Sequence, residues 1–150
     1  MLLNHDGKTM LYTGVDIVEI GRIEQAVARW GERFLRRVFT PGERRDSGER
    51  TRSLAARWAA KEAAAKALGI GLQGFGAAAT VGAGKAVRWL DLEVQRASTG
   101  QPTLILHGGA AERAAVLGWR SVALSLSHGH DYAIALVVAE GEAKNLEPRT

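Results

Sequence analysis

The chain reads as an α+β domain in which helices pack on a small antiparallel sheet. Helix signals fill residues 21–68, alternating strand signals fill residues 90–138, and a short polar turn joins the last two strands. At 150 residues it is expected to form one domain with a real core. Residues 11–17 read as a short strand, with Gly14 inside it and Asp16 near its end. Residues 21–38 read as helical, because Ile23, Val27, Trp30, Phe34 and Val38 recur at helical spacing, interrupted at Gly31. Trp30 and Phe34 on that stripe, and Trp58 on the apolar stripe of the later helix, are expected in the core. Thr40-Pro41-Gly42-Glu43 is a helix start: Thr as N-cap, Pro at the first position, Glu at the third.

The central helix is expected over residues 51–68, rich in Ala and Leu and stopped by Gly69. Leu54, Trp58, Ala65 and Leu68 form its apolar stripe, with Lys61 on the same stripe and Glu62 beside it. A Lys and a Glu here, just ahead of a glycine turn, suggest a site facing phosphate and metal. The bland alternative is a solvent-facing Glu62–Lys66 ion pair worth a few tenths of a kcal/mol. Residues 69–84, rich in Gly and Ala, suggest a flexible loop. Leu90, Leu92 and Val94 alternate with acids as a strand. A turn at residues 100–102 follows, then a strand over 103–106 and a helix over 110–117. Residues 121–127 and 132–138 close the sheet around the turn Ser127-His128-Gly129-His130-Asp131.

Composition narrows the chemistry. With no cysteine, disulfides and thiolate metal sites are excluded, so any metal must be held by oxygen or His. Asn4, His5, Asp6 and Lys8 interrupt the start, which does not read as a signal peptide, and the longest apolar run is too short to span a bilayer. A cytoplasmic protein is expected. Residues 1–10 read as a disordered tail or tag remnant, 11–140 as the domain, and 141–150 as a flexible tail. Net charge is +4, yet ten Arg face five acids between Arg22 and Arg57. Such a surface suits an anionic partner. Asp16, a carboxylate in an apolar strand, needs a partner, a cap role or a metal. With Glu62 it would make a two-carboxylate magnesium site.

Four segments then carry a resemblance. They are Gly14-Val15-Asp16-Ile17-Val18-Glu19-Ile20 with Arg22-Ile23, Phe39-Thr40-Pro41-Gly42-Glu43, the run from Ala56 to Gly71, and Val122-Ala123-Leu124-Ser125-Leu126-Ser127-His128. In this order and spacing they resemble the small phosphopantetheinyl transferases, the holo-acyl-carrier-protein synthase family, over roughly residues 11–140. The resemblance implies the 4′-phosphopantetheinyl transferase fold and transfer of 4′-phosphopantetheine from coenzyme A to a serine of apo-acyl carrier protein, leaving adenosine 3′,5′-bisphosphate. It implies Mg2+ held by Asp16 and Glu62, with Asp16, Glu62 and Lys66 catalytic. By the same resemblance Arg57, Lys61, Lys66, Gly69, Gly71 and His128 meet coenzyme A. Arg22, Arg29 and Arg33 would meet the acidic recognition helix of the carrier. A homotrimer with sites between subunits is implied, and a role in fatty acid biosynthesis. Two other readings compete: a basic nucleic-acid-binding module and a catalytically silent oligomerisation domain. Membrane and nucleic-acid partners are not expected.

Overall fold

A computed structural model describes residues 8–72 and 87–142. The expected tails at residues 1–7 and 143–150, and the expected loop from residue 73 to 84, lie outside them. The α+β class holds. A three-stranded antiparallel sheet is ordered β1-β5-β4, with β1 Thr9–Glu19, β4 Trp119–His128 and β5 Tyr132–Glu142. β2 Leu92–Arg96 and β3 Pro102–Leu106 form a separate antiparallel ribbon. Among the described residues there are five α-helices: α1 Ile20–Trp30, α2 Glu32–Val38, α3 Pro41–Ser47, α4 Thr51–Leu68 and α5 Gly108–Val116. Among the described residues, no helix is long and apolar enough to cross a membrane.

The sheet extends past both expected domain edges. Thr9 pairs with Glu142 and Met10 with Gly141, and the alternation of facing and exposed side chains continues to these ends. A second correction concerns Leu90 and Asp91. They belong to a 3-10 turn, Trp89–Asp91, where Asp91 Oδ2 accepts the Arg88 amide at 3.0 Å. β2 therefore starts at Leu92.

Why α4 is central follows from what it lacks. Its Ala55, Ala56, Ala59, Ala60, Ala63, Ala64 and Ala67 are all buried, and the sheet answers with Gly14, Ala133 and Ala135. Small residues on both surfaces let the helix lie close to the sheet. At Gly14 the approach is closest: a Cβ there would fall 1.8 Å from the Ala63 carbonyl oxygen. The helix's other flank is also covered. Leu54 and Leu68 are buried, and Trp58 stacks on Trp89 with ring centroids 4.1 Å apart. A helix buried nearly all round loses its one-sided pattern.

The strands alternate cleanly. Gly14, Asp16 and Val18 face α4; Leu11, Val15 and Ile17 face away, together with Tyr132, Ile134 and Leu136 of β5, and all six are exposed. Register puts Val15 opposite Leu136 and Ile17 opposite Ile134. The β1 and β5 rows of this face thus form an apolar surface that no other described residue covers.

Candidate active site

Asp16, Glu62 and Lys66 come together where β1 crosses the C-terminal half of α4. The Gly14 contact fixes that crossing, and Asp16 lies two residues further along the same inward face. Its side chain is 17% exposed. Lys66 reaches across from α4, donating from Nζ to Asp16 Oδ1 at 3.1 Å and to the Val15 carbonyl at 2.9 Å. The helical Glu62–Lys66 ion pair is not what forms, because the lysine head is turned to β1. Among the described residues, Glu62 takes no hydrogen bond. Burial first, and the Asp16 charge second, push the Glu62 carboxyl above its usual range; Lys66 and Arg22 pull the other way. Two neighbouring carboxylates with too little positive charge between them are the oxygen donor set that suits a hard divalent cation such as Mg2+.

A second site forms at the opposite edge of the sheet. A cleft of about 180 Å³ is lined by Arg57, Arg96 and His128 over Ala56, Pro102 and Leu126. Arg57 is only 2% exposed; its Nη1 donates to the Ser53 carbonyl at 3.1 Å, while its buried Nε finds no acceptor among the described residues. Among the described residues, no acid lines the cleft. Burial above all, with the nearby Arg96 charge, weakens the Arg57 guanidinium's hold on its proton, against the opposing pull of the Glu43 and Asp46 charges. A cleft lined by two guanidiniums and an imidazole has the chemistry of an anion site. Arg96 gave no sequence signal, since its neighbours in the cleft lie 39 residues before it (Arg57) and 32 after (His128).

The two sites do not meet within one chain. Asp16 lies on β1 and His128 on β4, with β5 between them, so their backbones are about 10 Å apart across the sheet. α4 lies over the sheet between these edges.

Three expectations change. Lys61 does not face coenzyme A: it is fully buried, and Nζ donates to Glu43 Oε1 at 2.7 Å and to the Trp89 and Leu92 carbonyls. All three of its donors are used, so nothing is left for a phosphate. Gly69 is likewise committed. At φ +68° it closes α4 in a Schellman cap, its amide donating to the Lys66 carbonyl at 3.1 Å while Ile70 donates to Ala65 at 3.0 Å. Gly71 stays open to solvent. Third, Trp30 is not core. Phe34 is buried and Trp58 half-buried, but Trp30 is 37% exposed with the Arg29 guanidinium 4.7 Å from its ring centroid. Arg22, Arg29 and Arg33 are exposed along α1 and α2.

Sequence comparison gives this geometry its class. The family model for the 4′-phosphopantetheinyl transferase superfamily matches residues 12–137, and the chain belongs to that superfamily. Within it the similarity is to one kind of protein. The chain is 55% identical over 132 residues to the holo-[acyl-carrier-protein] synthase of Herpetosiphon aurantiacus, covering 88% of this chain and 100% of that one. In three dimensions it is similar to the Helicobacter pylori holo-[acyl-carrier-protein] synthase in complex with coenzyme A, with TM-score 0.70, 32% identity, and 85% and 98% of the two chains covered. The synthase–coenzyme A complex from Chronobacterium ammoniagenes aligns with TM-score 0.71 and 35% identity over 88% and 98% of the chains.

Proposed function

We propose that this chain is a cytoplasmic, magnesium-dependent homotrimer that transfers 4′-phosphopantetheine from coenzyme A to a serine of apo-acyl carrier protein. The observation that carries the reading is the Asp16–Glu62 pair, coupled through charge and joined to β1 by Lys66. In the reaction the serine Oγ forms a bond to the diphosphate phosphorus that bears the pantetheine arm. The phosphorus–oxygen bond to the adenosine bisphosphate breaks, and the serine proton passes to a base. Asp16 and Glu62 would hold Mg2+, which when bound supplies positive charge against the charge building on the diphosphate. Lys66 adds a fixed ammonium beside it. Glu62 is the candidate base in this chain. Arg57, Arg96 and His128 suit the remaining phosphate charge of coenzyme A.

Two features support the trimer. The uncovered apolar rows of β1 and β5 need a partner surface, since exposed patches of this kind mark association sites. The carboxylate pair and the cationic cleft lie on opposite sheet edges, so a neighbouring copy that brings one edge to the other would complete a site. The test is direct. Incubation with coenzyme A, magnesium and an apo-carrier should add the mass of one phosphopantetheine to the carrier, and EDTA should abolish it. A folded oligomer that leaves several carriers unmodified would overturn the assignment.

A further inference from the structure

Lys61 and Gly69 are spent on internal bonds, yet the turn at Gly69 does not lack a cation. Arg113, on α5, donates from Nε to the Leu68 carbonyl at 3.0 Å, and its Nη2 lies 3.6 Å from where a Gly69 Cβ would stand. Ala110, Ala114 and Leu117 are buried beneath α5 and hold it in place. One turn beyond Arg113, the Leu117 carbonyl accepts the Tyr12 hydroxyl at 3.2 Å. Tyr12 belongs to the inward row of β1 that leads through Gly14 to Asp16, so α5 is tied to the strand and the helix that build the carboxylate pair. Among the described residues Arg113 has no acid partner, and the Leu68 carbonyl takes one of its five N–H donors.

The charge sits at the end of a long dipole. α4 has 18 residues, and its partial negative charge gathers at the last carbonyls. Amides of the cap meet the Ala65 and Lys66 carbonyls, and Arg113 meets that of Leu68. Lys66 leaves this end uncompensated, because its ammonium is turned to β1. A bare helix C-terminus repels an anion; this one carries a full positive charge with donors to spare. Leu68 is two residues past Lys66, about 3 Å of helical rise, so that charge stands beside the open site.

We propose that Arg113 is a coenzyme A-binding residue, which receives a phosphate group at the C-terminal end of α4 where the Gly69 amide is already committed. This rests on the transfer reading above. The guanidinium serves twice: it cancels the field of the helix end, and its Nη groups present a planar pair of donors to phosphate oxygens. Its bond to the Leu68 carbonyl fixes the side chain beforehand, so little conformational freedom is lost on binding.

The test is calorimetric titration of coenzyme A with magnesium, at low and high salt, beside steady-state transfer. Arg113→Met should weaken coenzyme A binding about tenfold, with kcat at saturating coenzyme A and KM for the carrier within about twofold of wild type. Binding by the variant should also respond less to salt, because a charge contact is gone. Arg113→Lys keeps the cation and should recover most of the affinity. A role confined to capping α4 would lower the melting temperature and leave the affinity and its salt response unchanged, and that result overturns the proposal. So does a fall in kcat at unchanged affinity. If wild-type protein binds coenzyme A but modifies no carrier, the transfer reading fails alone, and the same comparison of affinities still decides for or against Arg113. Wild-type protein that binds no coenzyme A overturns both.

Discussion

α4 carries two lysines five residues apart whose surroundings could hardly differ more. Lys61 is sealed in the core, paired with a fully buried Glu43 that also accepts the Val94 and Thr40 amides. Lys66 is 55% exposed and faces two carboxylates with one ammonium. In the first arrangement every donor has its acceptor, and the charges close on each other. In the second, negative charge is left over and oriented. The closed network locks α3, α4 and β2 together; the open one can receive a cation. Completeness of hydrogen bonding, more than residue type, separates the two roles.

The sharpest way to break this comparison is to remove a carboxylate. Asp16→Ala or Glu62→Ala should lower transfer about a thousandfold, as for loss of a principal charge-stabilising group, with the melting temperature undiminished. Near-normal turnover in both variants would dissolve the metal-site assignment. Next comes the closed network. Lys61→Ala leaves Glu43 buried and unpaired, and denaturant titration should show a loss of about 3–5 kcal/mol. The double variant Lys61→Met/Glu43→Leu should regain most of it, and no regain would mean that the pair does more than satisfy itself.

Gly14→Ala should reach the open site through the packing. Its Cβ has no room against the Ala63 backbone, so β1 must move; the melting temperature should fall, and the protein that remains folded should transfer about a hundredfold more slowly.

The smallest effect is one of pH. The folded Glu62 carboxyl titrates above its ordinary 4.5, so the native state binds this proton more tightly than the unfolded chain. The stability it contributes is present below 4.5 and is lost as pH rises through the raised value. Glu62→Gln should therefore melt a few degrees above wild type at neutral pH, and the two should converge in acid. Magnesium should raise the wild-type midpoint at neutral pH and leave Asp16→Ala unmoved.

Most of the architecture was legible because its signals are local. The Thr40–Glu43 capping box forms as its spacing predicts, and α4 spans residues 51–68 with its glycine stop. Helical spacing also placed Lys61 on a buried stripe. It could not say what would meet Lys61 there, because Glu43 and the Trp89 and Leu92 carbonyls arrive from segments 18 to 31 residues away. Trp30 misled for the opposite reason. Its periodicity is that of a core residue, but it is the last residue of α1 and is 37% exposed, with Arg29 against its ring. Arg96 joins Arg57 and His128 only through the packing of separate strands.

The glycine at position 14 has a further consequence for any cation held by this chain. How far apart two ligands stand, their bite, sets which ions they can grip. Here the bite between Asp16 and Glu62 follows from how near a strand can lie to a helix, and at Gly14 that spacing is at its floor. A single methyl would lift Asp16 away from its counterpart and widen the grip. On the metal reading proposed above, the carbon atom that position 14 leaves out would help set which ion the pair can hold.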